Sequence, residues 1–113
     1  MSMLISKQDD VTIAMPGERL DTATALEAET ELIAQVNAGA TRVVVDFSKT
    51  AYISSAGLRV LLKLAKALMP KSGKLALCNA NGQIHEALEI SGFVTMLSYR
   101  ATLAEAIAAT AGE

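Results

Sequence analysis

The chain has 113 residues, 51% of them apolar and 19% charged, which is enough to bury a core and excludes a disordered tail. Ten basic residues against twelve acidic ones leave a net charge of −2, so there is no electrostatic footprint for nucleic acid. A lone cysteine, Cys78, excludes an internal disulfide and fits a reducing compartment.

At the start, Met1-Ser2-Met3-Leu4-Ile5 is too short for the apolar region of a signal peptide. Residues 3–8 and 11–15 read as two strands joined at Gln8-Asp9-Asp10. Val11, Ile13 and Met15 alternate with Thr12 and Ala14, the period of a half-buried strand. Pro16-Gly17 ends that strand or marks a bulge. Asp21 stands where an N-cap belongs, ahead of a helix with Ala25, Leu26, Leu32, Ile33 and Val36 on its apolar side. Glu27, Glu29 and Glu31 on the wetter side make a solvated face or an acidic docking patch. The helix stops near Asn37-Ala38-Gly39.

Residues 42–47 form the central strand. Its unbroken Val43-Val44-Val45 run is the habit of a strand covered on both faces. A helix over 55–69 is apolar nearly all round, with one basic seam of Arg59, Lys63 and Lys66 at i, i+4 and i+7. Those cations also interrupt the longest apolar run, so no membrane span is expected. Residues 70–73 break the helix, 75–78 give the next buried strand and 79–82 a loop. A shorter helix over 83–90 closes at Ser91-Gly92. Residues 93–98 are expected as the last strand. Thr102-Leu103-Ala104-Glu105 matches a capping box opening an alanine-rich terminal helix.

This order predicts an α/β fold of one domain over residues 1–113. A mixed, mostly parallel sheet of about five strands has an antiparallel N-terminal edge and four helices, packed in two layers. The chain is expected to be soluble and cytoplasmic.

Several chemistries are excluded. Gly-x-Ser-x-Gly is absent, and a triad of Asp46, Ser55 and the only histidine, His85, needs three distant side chains to converge. Neither phosphate-binding glycine motif occurs, and one cysteine with one histidine cannot build a metal site. No catalytic residue, metal or cofactor is expected, and Cys78 reads as a small core residue. Asp46 has two readings. Its carboxylate either fixes the following turn by accepting N–H bonds or positions a metal or phosphate brought by a partner. Ser54-Ser55 sits at the carboxyl end of a strand and the mouth of a helix, where unpaired N–H groups favour an anion. One serine can cap the helix while the other presents its hydroxyl for phosphorylation.

The run Asp46-Phe47-Ser48, then Tyr52-Ile53-Ser54-Ser55-Ala56-Gly57-Leu58-Arg59-Val60-Leu61, resembles the motif of the STAS domain, specifically the stand-alone bacterial anti-sigma factor antagonists. Gly17 to Leu20 followed by Asp21 resembles that family's Gly-x-Leu-Asp turn with one extra residue. The resemblance implies a STAS-like fold and a partner-switching role. The unphosphorylated protein binds an anti-sigma factor that is also a serine kinase of the GHKL type, and thereby frees its target. Phosphorylation releases the kinase, and a PP2C-type phosphatase reverses it. The common family pattern is Asp-Ser-Ser-Gly with the second serine modified. Aligned on Gly57-Leu58, that position falls on Ala56, and Ser54 stands where the aspartate would be. The Ser-Ser-Ala-Gly variant implies Ser55 as acceptor, with Ser54 second. Asp21, Asp46, Ser54, Ser55, Ala56, Gly57 and Arg59 are the expected partner-binding residues. The competing reading is a constitutive scaffold or subunit, in a lipid-transport or stressosome-like assembly, whose serines only cap.

Overall fold

The computed structural model describes residues 3–111. Strands β1 (Met3–Gln8) and β2 (Val11–Pro16) form an antiparallel hairpin, registered from Gln8 opposite Val11 to Met3 opposite Pro16. The chain then runs through β3 (Arg19–Leu20), α1 (Ala25–Asn37), β4 (Arg42–Asp46), β5 (Tyr52–Ile53), α2 (Ser55–Leu68) and β6 (Lys74–Cys78). It finishes with α3 (Gly82–Ser91), the single turn α4 (Phe93–Met96), β7 (Ser98–Arg100) and α5 (Leu103–Ala109). The main sheet has the order β1-β2-β4-β6-β7, and every pairing after the hairpin is parallel. The mixed five-stranded sheet and the four longer helices agree with the sequence.

The valine run explains the central position of β4. Val43 and Val45 join the core under α1, α2 and α3, whereas Val44 enters a second core on the opposite face. All three are at most 1% exposed. The first core is built from Leu32 and Val36 of α1, Val60, Leu61, Leu64 and Leu68 of α2, and Ile84 and Leu88 of α3. The second is α5 laid on the sheet, with Ala106 against Val11, Ile13, Val44, Ala76 and Cys78.

The packing is therefore three layers rather than the two expected. Small side chains at Ala76, Cys78 and Ala106 let the short helix approach the strands. The Arg42 side chain helps to hold it, donating to the Thr110 hydroxyl at 3.3 Å and the Ile107 carbonyl at 3.5 Å.

Other boundaries differ for local reasons. Helix α1 begins at Ala25, with Thr24 rather than Asp21 at its N-cap. The Asp21 carboxylate instead accepts from the Ala23 N–H at 3.1 Å and shapes the turn ahead of the helix. Leu26, expected on the apolar side, is 75% exposed. The strand expected over 93–98 is displaced to β7 and shares only Ser98 with it, because Phe93–Met96 is helical. Gly92 ends α3 in the left-handed region, at φ 85°, and buried Phe93 begins a helical turn closed by the Leu97 N–H to the Phe93 carbonyl at 2.8 Å. A 3-10 turn over Met69–Lys71 follows α2. Thr102 does cap α5, accepting from the Glu105 N–H at 3.2 Å. Among the described residues no helix is long and apolar enough to cross a membrane.

Candidate functional site

At the carboxyl end of β4, Asp46 is 3% exposed. Its Oδ1 accepts from the Ser48 N–H at 2.9 Å and from Asn79 Nδ2 at 3.1 Å. The Phe47 N–H donates to the Cys78 carbonyl at 2.9 Å, which continues the β4–β6 pairing past Asp46. The Thr50 N–H closes the next turn onto the Phe47 carbonyl at 2.9 Å, and its hydroxyl donates to the Pro16 carbonyl at 3.1 Å. This is the loop-shaping reading of Asp46. Burial pushes the neighbouring Cys78 thiol up to about 12, with the Asp46 charge adding to it. Cys78 is an inert core residue.

The loop leads into a two-stranded parallel ribbon, β3 with β5, pairing Arg19 with Tyr52 and Leu20 with Ile53. Two-residue strands leave no period in a sequence, and neither was predicted. The N–H groups of Ala51 and Tyr52 donate to the Glu18 carbonyl at 2.7 and 3.2 Å, and that of Ser54 to the Leu20 carbonyl at 3.0 Å. The Arg19 guanidinium lies 4.6 Å from the centre of the Tyr52 ring, and its Nε is 2.9 Å from Asp21 Oδ2. The hydrogen bond from Arg19 holds the Asp21 carboxyl below its ordinary value. Gly57 seats α2 against this ribbon. A Cβ there would fall on the Leu20 carbonyl oxygen and within 2.7 Å of Ile53 Cγ1. The glycine is a requirement of close approach, since no side chain fits between helix and ribbon.

The two serines divide the work. Ser54 is extended (φ −109°, ψ 179°), and its Oγ accepts from the Gly57 N–H at 3.4 Å, so it is the N-cap of α2. Ser55, the first helical residue, is exposed, and among the described residues its hydroxyl has no hydrogen-bond partner. One turn on, Arg59 is exposed and forms no ion pair among them. Lys63, next along the seam, is 3.3 Å from Glu29 of α1. Arg59 is thus a free cation beside Ser55, while Lys63 is tied to the neighbouring helix. Half-buried Ala56 and buried Gly57 complete the first turn.

Asp21, Ser54, Ser55, Ala56, Gly57 and Arg59 therefore share the junction of ribbon and helix, and Asp46 lies buried at the start of the loop that feeds it. His85 is engaged elsewhere, edge-on to Tyr99 at 4.9 Å and 3.8 Å from Glu89 Oε2. Among the described residues no group of three or more His, Cys, Asp or Glu could hold a metal ion.

Sequence reasoning missed Asn81 and Gln83. Asn81 caps α3, accepting from the Ile84 N–H at 2.9 Å, and its Nδ2 donates to the Ala51 carbonyl at 3.0 Å. Gln83 makes a pair of bonds with Ile53, at 3.1 and 3.2 Å. An Asn-Gly pair ahead of an apolar run signals the cap; nothing in the sequence signals the glutamine.

The family model for the STAS domain matches residues 2–106. The chain belongs to the STAS domain family. This STAS domain is 43% identical over 96 residues to BtrV of Bordetella bronchiseptica, a protein named as an anti-sigma factor antagonist, covering 85% of this chain and 83% of BtrV. Among solved structures, an anti-sigma factor antagonist of Mycobacterium paratuberculosis superposes with a TM-score of 0.89 at 21% identity, over 96% of this chain and 92% of that one. The Bacillus protein SpoIIAA in its phosphorylated form superposes with a TM-score of 0.74 at 18% identity, over 95% and 97% of the two chains. At such identities these structures establish the shared fold.

Proposed function

We propose that this STAS domain is an anti-sigma factor antagonist in a partner-switching pathway, a cytoplasmic binding module rather than an enzyme. Its unphosphorylated form binds an anti-sigma factor that is also a serine kinase of the GHKL type, and so frees the kinase's other target. The kinase transfers the γ-phosphoryl group of ATP to Ser55 Oγ. The new O–P bond replaces the bond to ADP, and the hydroxyl proton is released. A PP2C-type phosphatase then uses water to return the hydroxyl and inorganic phosphate. ATP and metal belong to the partners.

The observation that carries this reading is the division of labour at the helix mouth: Ser54 caps, and Ser55 stands exposed with its hydroxyl unused. A phosphate there adds about −1.5 to −2 charges and three acceptor oxygens. The first N–H groups of α2 and the free Arg59 suit that charge, so the fold takes it up with little change. An acidic or apolar partner surface pressed against the same mouth meets a charge it cannot solvate. Losing about 3–4 kcal/mol of binding weakens a complex a few-hundred-fold, which is enough for an on/off contact. The likeness to BtrV supports the role, and the phosphorylated form of SpoIIAA supports the chemistry. The docking surface on this reading spans the mouth of α2, Arg59 and the 16–21 loop, with Asp46 contributing by shaping the loop beneath.

The test is incubation with the cognate kinase and ATP followed by intact-mass measurement. One added phosphate on wild type and none on Ser55→Ala is expected. Phosphate retained by Ser55→Ala moves the acceptor to Ser54, and none on wild type leaves a constitutive scaffold.

A further inference from the structure

We infer that Gln83 is the positioning residue of the phosphorylation site: its side-chain amide stands in for a missing third strand on the open edge of the β3–β5 ribbon and so fixes the two serines that follow. This rests on the reading of Ser55 as the acceptor.

Along a strand, successive residues turn their backbone N–H and C=O groups to opposite edges. In β5 the N–H groups of Tyr52 and Ser54 face β3 and donate to Glu18 and Leu20. Ile53 faces the other way, toward α3, where among the described residues no strand is present to receive it. There the Ile53 N–H donates to Gln83 Oε1 at 3.1 Å, and Gln83 Nε2 donates to the Ile53 carbonyl at 3.2 Å. One primary amide thus offers the acceptor and the donor that a neighbouring strand would offer.

Ile53 is 2% exposed, so it is held by its side chain in the core and by Gln83 on its open edge, while its neighbours Tyr52 and Ser54 are held on the β3 edge. Ser54 and Ser55 come next in the chain. Asn81 steadies the same segment two residues earlier through the Ala51 carbonyl, so the first turn of α3 grips the serine loop twice. Gln83 itself is exposed and outside both cores. It is therefore a residue whose loss loosens the loop without emptying the interior.

The amide is required for its two-sided character. Methionine at 83 matches its length but offers neither group. A glutamate accepts from the Ile53 N–H as a carboxylate but sets its second oxygen against the Ile53 carbonyl. A protonated glutamate regains the donor. The experiment compares wild type, Gln83→Met and Gln83→Glu by amide hydrogen exchange at Ile53 and by Ser55 phosphorylation with the GHKL-type kinase and ATP.

In Gln83→Met, protection of the Ile53 amide is expected to fall on the order of tenfold, as befits a lost hydrogen-bonded pair. The rate of phosphorylation at saturating substrate is expected to fall several-fold, with the melting temperature within a few degrees of wild type. In Gln83→Glu, the repulsion between the second carboxylate oxygen and the Ile53 carbonyl is expected to lower protection at neutral pH. Protection is expected to recover as pH falls through the glutamate range near ~4.3, a signature that simple destabilisation does not produce. Unchanged protection in Gln83→Met overturns the clamp. Lost protection with an unchanged phosphorylation rate overturns its positioning role. If wild type takes up no phosphate, the functional reading fails and the positioning role with it, while the exchange data still decide whether the clamp exists.

Discussion

The helix mouths of α2 and α3 begin alike and end in opposite uses. Each opens with an extended polar residue whose side chain accepts from an N–H three positions on, Ser54 at 3.4 Å and Asn81 at 2.9 Å. At α3 the two amide side chains of the mouth are engaged in construction: Asn81 also holds Ala51, and Gln83 holds Ile53. At α2 the cap is longer and, among the described residues, the next hydroxyl, that of Ser55, holds nothing. One mouth builds the loop, and the other displays what the loop carries. A free hydroxyl on a mobile loop is an accident, whereas one gripped from three sides is a presented group.

That contrast can be broken most forcefully at Ser55. Ser55→Asp is expected to fold as wild type does and to bind the kinase a few-hundred-fold more weakly, about 3–4 kcal/mol, in a titration by calorimetry. Binding as tight as wild type would end the electrostatic account. Gly57→Ala should cost about 1–3 kcal/mol of stability, because the new methyl meets the Leu20 carbonyl. Thermal unfolding should show it as a fall of about 5–15 °C, and an unchanged midpoint would show that ribbon and helix are not in close contact.

The two caps sharpen the comparison further. Asn81→Ala removes a short cap bond and the hold on Ala51, for an expected loss of about 1–2 kcal/mol. Ser54→Ala removes a single long bond, for about 0.5 kcal/mol. Urea denaturation of both variants measures the difference, and equal losses would erase the distinction between a building mouth and a displaying one.

The smallest effect belongs to Asp21. Arg19 lowers its carboxyl value in the folded state, so the carboxylate contributes stability above the unfolded value near ~3.9 and loses it as pH falls through the lowered one. Arg19 is 59% exposed, which keeps the pair weak. Asp21→Asn should therefore trail wild type slightly at pH 7, with the gap closing below about pH 4. A gap constant across pH would assign the loss to the turn rather than to the charge.

What was legible in the sequence follows from which features repeat. Val43-Val44-Val45 announced a strand covered on both faces, because side chains alternate across a sheet and all three were apolar. The paired serines announced a cap with a spare hydroxyl, because one helix end needs only one. By contrast, Leu26 looked like core and faces solvent, since a helical spacing does not say where the apolar stripe ends. The strand expected over 93–98 mostly became a turn because Gly92 bends the chain before Phe93 finds the core. Three layers replaced two because alanines do not mark which face of a sheet they will cover. Gln83 was invisible for a more general reason: a side chain imitating a backbone needs only the right place in space, and no spacing in the chain encodes that.

The idle hydroxyl of Ser55 also bears on how such a protein can change over generations. Since among the described residues no part of the architecture leans on that oxygen, a copy in which the position has drifted to alanine is expected to fold, and on the proposed mechanism it still docks but can no longer be dismissed. On that mechanism such a regulator fails by becoming permanently engaged rather than by disappearing, and selection to keep the serine comes from the partners that must be let go.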